Sequence, residues 1–189
     1  MDYPSNMVAA LTAFPERTTK RAAMVAVLTA ACVASNYALI GVVNVKFMDL
    51  IVFVAGFSLG PIVGASVGVL TWLVYGSLNP YGFSLPILVI TSTGESLYGI
   101  VGGLLGRGSE RVHRGVSDSA KFAVVGFLLT FVYDLVTNVV SGVSVGIPVH
   151  VALVTGIPFA IVHEVSNAVF FFIGASPLIS AVDRVIRRE

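Results

Sequence analysis

Four ionisable side chains stand out inside long apolar runs: Glu95, Asp134, and the neighbours His163 and Glu164. Placing such a group at bilayer depth costs about 2.5–3.5 kcal/mol on insertion scales, so each asks for a reason. Polar partners follow them at helical spacing. Asp134 and Asn138 are four apart, Tyr133 and Thr137 form the adjacent row, and His163 and Asn167 are again four apart, with Glu164 three before Asn167. Trp72, Tyr75, Asn79 and Tyr81 add flat aromatic faces with polar tips. Apolar walls with a few convergent polar groups are the makings of a small-molecule pocket. The same groups could instead only pair with one another across helices, and Trp72 and Tyr81 could belong to an interfacial aromatic belt.

Covalent chemistry is not indicated, and the chain reads as no enzyme. Gly64-Ala65-Ser66-Val67-Gly68 and Gly142-Val143-Ser144-Val145-Gly146 match the spacing of a nucleophile elbow, but that elbow needs a strand-to-helix turn. The first copy falls in an apolar helix and the second in a turn; small residues for helix packing explain both. Nothing resembles the Gly-rich phosphate loop of nucleotide hydrolases. Gly102-Gly103-x-x-Gly106 lacks the preceding strand of a dinucleotide site. His163 and Glu164 are adjacent, which on a helix points them about 100° apart, so no metal site is expected. Cys32 is the only cysteine.

The elements that must position these residues follow from composition. Of 189 residues, 56% are hydrophobic and 11% charged, with a mean hydropathy of +0.93; soluble domains carry about 25% charged residues. An integral membrane protein is the consequence. A net charge of +1 excludes a nucleic-acid binder. The cations fall in three clusters (Arg17, Lys20 and Arg21; Arg107, Arg111, Arg114 and Lys121; Arg184, Arg187 and Arg188), with Lys46 alone elsewhere. By the positive-inside rule all three clusters are cytoplasmic, so an even number of crossings separates each from the next.

The expected fold is therefore all-α, a compact bundle of six transmembrane helices near 22–43, 47–59, 61–78, 84–105, 120–140 and 147–174, with both termini cytoplasmic. Gly60-Pro61 breaks the second span from the third. Residues 1–21 read as a cytoplasmic arm that could form an interfacial helix, 22–180 as the membrane domain and 181–189 as a basic tail. The outer turns are then 44–48, 79–83 and 141–148, and this topology sets Glu95, Asp134 and Glu164 within reach of one outward-facing cavity.

Ala22, Ala26, Ala30 and Ala34 recur at every fourth position, a stripe that lets another helix approach closely, from this chain or from a partner. The stripe, the Val45-Lys46-Phe47 turn leading into Val52-Phe53-Val54-Ala55-Gly56, the Gly60-Pro61-x-x-Gly64 break and the Tyr133-Asp134-x-x-Thr137-Asn138 row together resemble one family. Over about residues 22–180 the chain is similar to the substrate-binding S components of energy-coupling factor (ECF) transporters, the vitamin importers of prokaryotes.

That resemblance implies a multi-pass protein of the prokaryotic cell membrane that captures a vitamin or vitamin precursor outside. The alanine stripe would dock on a transmembrane T component driven by two cytoplasmic ATPases. ATP is then used by the partners, and this chain binds no cofactor. Substrate would be held by Trp72, Tyr75, Asn79, Tyr81, Glu95, Asp134, Asn138, His163, Glu164 and Asn167. Three acids facing one cavity suggest a thiamine-like pyrimidine, a benzimidazole or another cobalamin building block. Lys46, the only cation on the outer face, reads first as an interfacial snorkelling lysine and second as a contact for a phosphate or carboxylate at the mouth. The alternative is a stand-alone ion-coupled carrier relaying charge through Glu95, Asp134, His163 and Glu164.

Overall fold

The computed structural model describes residues 5–80, 82–107 and 115–187. Among them are six helices and no strand: α1 (Ser5–Ala38), α2 (Met48–Leu59), α3 (Pro61–Leu78), α4 (Leu85–Arg107), α5 (Val116–Ser144) and α6 (Val149–Arg187). Five are long and apolar enough to cross a membrane; α2, equally apolar, has only 12 residues. At 1.5 Å per residue it is about 18 Å long, against a hydrocarbon core of about 30 Å.

A single residue separates α2 from α3. Gly60 adopts φ 99° and ψ 161°, a region open to glycine alone, and its N–H caps α2 on Gly56 O at 2.8 Å. Pro61 then opens α3, where its missing N–H goes unneeded. The two helices fold back on α4 at backbone contact distance. A Cβ on Gly56 would strike the carbonyl of Gly99, one on Gly99 would strike the backbone of Gly64 and Ala65, and one on Gly103 would strike Pro61. Gly102 and Gly106 lie likewise against the backbone of Phe53 and Phe57. These glycine-rich runs are packing surfaces, as small residues in lipid commonly are. On the other side of α2, Phe53 meets Phe171 of α6 at 5.1 Å and Phe122 of α5 at 5.9 Å between ring centroids.

Several boundaries differ from the sequence reading. Within the stretch 1–21, read as an arm that could form an interfacial helix of its own, the chain is helical from Ser5 and continuous with α1, which runs through Pro15. That helix stops at Ala38, five residues before the expected 43, because the chain turns at 39–43 and reaches Asn44 with φ 53°. At the far end α6 passes 174 and takes in the expected tail as far as Arg187. Ala175 and Ile179 are buried and Val182 packs on the core, so the apolar period carries the helix onward past Pro177.

On α1, Thr29, Cys32 and Asn36 face the bundle, whereas Ala22, Ala26, Ala30 and Ala34 are all exposed. The stripe therefore does not pack within this chain. Short connections make successive helices antiparallel. The turns 39–47, 79–84 and 145–148 accordingly lie at one end, and Gly60, Ser5 and Arg187 lie toward the other.

Candidate functional site

At the end carrying the turns, the helices part around a cavity of about 640 Å³. Leu39, Ile40, Val42 to Lys46 and Gly82 to Ser84 contribute its rim, and Asn44 closes part of it by donating to Phe159 O of α6 at 2.8 Å. Trp72 and Tyr75 of α3, Thr91 of α4, and Tyr133, Asp134, Thr137 and Asn138 of α5 form the walls. The three rings give flat apolar faces: Trp72 and Tyr75 meet edge to face at 5.6 Å between centroids. Lys46 enters from the rim, its Nζ 4.8 Å from the Trp72 ring centroid and 5.4 Å from that of Tyr133.

A buried polar network lies beneath the cavity, and the shortness of α2 explains it. Because α2 starts inside the bundle, Asp49 in its first turn is buried at depth (1% exposed), beside the positive end of its own helix. His163 of α6 sits between two acids. Its Nδ1 lies 2.9 and 3.1 Å from the carboxyl oxygens of Asp134, and its Nε2 lies 2.8 Å from Oδ2 of Asp49. Ionised carboxylates can only accept, so making both contacts to them needs an N–H on each ring nitrogen. One turn along α6, Asn167 donates to the same Asp49 oxygen at 2.6 Å and to Thr130 Oγ1 at 2.7 Å. Tyr98 of α4 donates to Thr130 Oγ1 at 2.9 Å. The network thus ties α2, α4, α5 and α6 together and ends on the cavity wall at Asp134. A second branch reaches the wall through Trp72, whose indole N–H donates to Oε2 of Glu95 at 3.3 Å.

The residues singled out from sequence divide into four groups. Trp72, Tyr75, Asn79, Asp134 and Asn138 line the cavity. Glu95, His163 and Asn167 are fully buried behind the wall and reach it only through Trp72 or Asp134. Glu164 is half-buried and away from the cavity, because one helical residue turns it about 100° from His163. Tyr81 lies outside the described residues. The expectation of three acids facing the cavity is corrected to one, Asp134. Of the two roles open to Lys46, the structure departs from the snorkelling one: the side chain turns inward over two rings at the cavity.

Sequence reasoning missed Asp49, Thr130 and Tyr98. Asp49 had a signal, since it stands in the second apolar run and is as costly to bury as the other acids. The serines of the two Gly-x-Ser-x-Gly matches are used within their own helices: Ser66 donates to Ile62 O at 2.8 Å and Ser144 to Val140 O at 2.6 Å. Neither has an elbow's geometry. Among the described residues no three His, Cys, Asp or Glu side chains converge as metal ligands.

The family model of the ECF-type riboflavin transporter S component matches residues 16–184. No curated protein and no solved structure matches the chain.

Proposed function

Since the chain belongs to the ECF-type riboflavin transporter S-component family, we propose that it binds riboflavin, or a closely related flavin, at the outer face of a prokaryotic cell membrane and hands it inward with ATP-driven partners. The observation that carries this reading is the cavity itself. Its volume of about 640 Å³ falls in the range of small-molecule sites, about 300–1,000 Å³. Flat faces of Trp72, Tyr75 and Tyr133 suit a fused three-ring system. Lys46 suits the ring's carbonyl oxygens, and Asp134, Thr137 and Asn138 suit a hydroxylated side chain. The argument for a cationic cargo lapses with two of the three acids drawn back from the cavity and a lysine inside it.

Orientation follows from charge. Lys20, Arg21, Arg107, Lys121 and Arg184 all lie toward the end opposite the cavity, so the cavity opens outward and both termini are cytoplasmic. With α2 as a short sixth span, the membrane domain is 22–180. At 1.5 Å per residue α1 and α6 are about 51 and 58 Å long, well beyond the hydrocarbon core, so residues 5–21 of the arm and 181–187 of the tail extend the two helices into the cytoplasm.

Exposure of Ala22, Ala26, Ala30 and Ala34 supports docking of α1 on a T component, with two ATPases below it. ATP is consumed there, not here. The test is riboflavin uptake by a flavin-requiring host with and without the T component and ATPases. Uptake that needs all of them supports the proposal. Uptake into liposomes by this chain alone, driven by a proton gradient, would instead make the Asp49–His163–Asp134 chain the relay of a stand-alone carrier.

A further inference from the structure

Glu95 is the one fully buried acid whose role the cavity does not explain. Asp49, a second fully buried acid, lies close enough to act on it. Yet Oε1 of Glu95 and Oδ1 of Asp49 are both buried with no donor among the described residues. Two carboxylates cannot satisfy one another, because neither carries a hydrogen. The charge count points the same way. Asp49, Glu95 and Asp134 would carry three negative charges, and His163 and Lys46 two positive ones, leaving one negative charge uncompensated in the protein interior. Buried charge without a partner is strongly disfavoured. Cys32 of α1, Tyr98 of α4 and Tyr133 of α5, the other titratable groups near enough to act on this pair, offer no further cation.

We propose that Glu95 and Asp49 share one proton, and that Glu95, as a neutral acid, is a positioning residue that holds the Trp72 ring in the cavity wall. The proton belongs on Glu95. Asp49 receives two short bonds, from His163 and Asn167, which suit a carboxylate. Glu95 receives only the 3.3 Å bond from Trp72, which suits a neutral carbonyl. Its O–H then donates to Asp49 while its C=O accepts the indole N–H, so one side chain brackets α2 to the wall of α3.

Because Trp72 is the only tryptophan, the ligand-free protein reports on this bracket directly. Infrared spectra at neutral pH should show the C=O stretch of a protonated carboxyl in the wild type and lose it in Glu95→Gln. Glutamine has the same donor and acceptor, so Glu95→Gln should keep the wild-type Trp72 emission, whereas Glu95→Ala should shift it toward that of a solvated indole. Absence of the band in the wild type would overturn the proposal. So would a Glu95→Gln protein that fails to fold, or whose emission moves as far as that of Glu95→Ala. A rise in melting temperature or a change in emission with sodium but not potassium would also overturn it, by putting a metal ion where the proton is placed. None of these readouts uses riboflavin, so they stand or fall apart from the transport reading.

Discussion

Replacing His163 with alanine tests the network under the cavity. The substitution removes both contacts to Asp134, at 2.9 and 3.1 Å, and one of the two donors on Asp49 Oδ2, while Asn167 keeps the other at 2.6 Å. The loss therefore falls mainly on Asp134. Hydrogen bonds between membrane helices average about 0.6 kcal/mol, but removing one partner of a buried ion pair costs about 3–5 kcal/mol. The second figure applies here, because His163 is 0%, Asp49 1% and Asp134 6% exposed. Asp134 borders the cavity, where water can reach it, which sets the expectation at the lower end, about 3 kcal/mol. That is about two powers of ten in the ratio of folded to unfolded protein. Unfolding in mixed micelles by titration with dodecyl sulfate, followed by helical circular dichroism, measures it. His163→Gln, which keeps one donor and more of the volume, should lose less. Adding Asp134→Asn to His163→Ala should restore about 1 kcal/mol, since an amide replaces the orphaned charge. A loss for His163→Ala below about 0.6 kcal/mol, or no recovery in the double variant, would refute the ion-pair description.

Five further outcomes are expected. Lys46→Met keeps the stem but removes the cavity's cation, and should weaken riboflavin binding about tenfold or more in a fluorescence titration, given about 1.5–3 kcal/mol for a hydrogen bond from a charged donor to a ring carbonyl. Glu164→Gln should leave that affinity unchanged and stability within about 0.5 kcal/mol, as fits a half-buried side chain off the cavity, whereas Asp134→Asn should cost binding about tenfold. Gly99→Ala should destabilise the bundle by at least about 2 kcal/mol in the same detergent titration, because its Cβ meets the backbone of Gly64 and Ala65 and α3 must move away from α4. Ala30→Trp should retain riboflavin affinity within about twofold while abolishing copurification of the T component and ATPases, since the change adds bulk only to an exposed helix face.

What could be read from sequence was whatever costs energy to bury. Glu95, Asp134, His163 and Asn167 stand out because apolar runs tolerate such groups only with partners, and all four are buried in one connected region. Depth was harder to infer. An outer turn at 44–48 leaves Asp49 at the surface beside it; in the structure the turn before α2 dips into the bundle, and Asp49 becomes the centre of the network. The same dip carries Lys46 from the expected interface to the cavity. Glu164 shows the reverse error, because proximity in sequence to His163 does not overcome the 100° turn between successive helical residues. Helix ends were poorly legible for a related reason. Charge clusters mark where a helix leaves the lipid, and α6 continues past that point to Arg187.

The most direct test of a flavin site between Trp72, Tyr75 and Tyr133 uses the lone tryptophan. Riboflavin added to the purified protein should quench Trp72 emission and lose its own fluorescence along the same saturating curve, with one flavin per chain, and Asp134→Asn should move both curves together to higher concentration. Flavin that binds while Trp72 emission stays unchanged, or a protein that binds no flavin at all, would contradict the account.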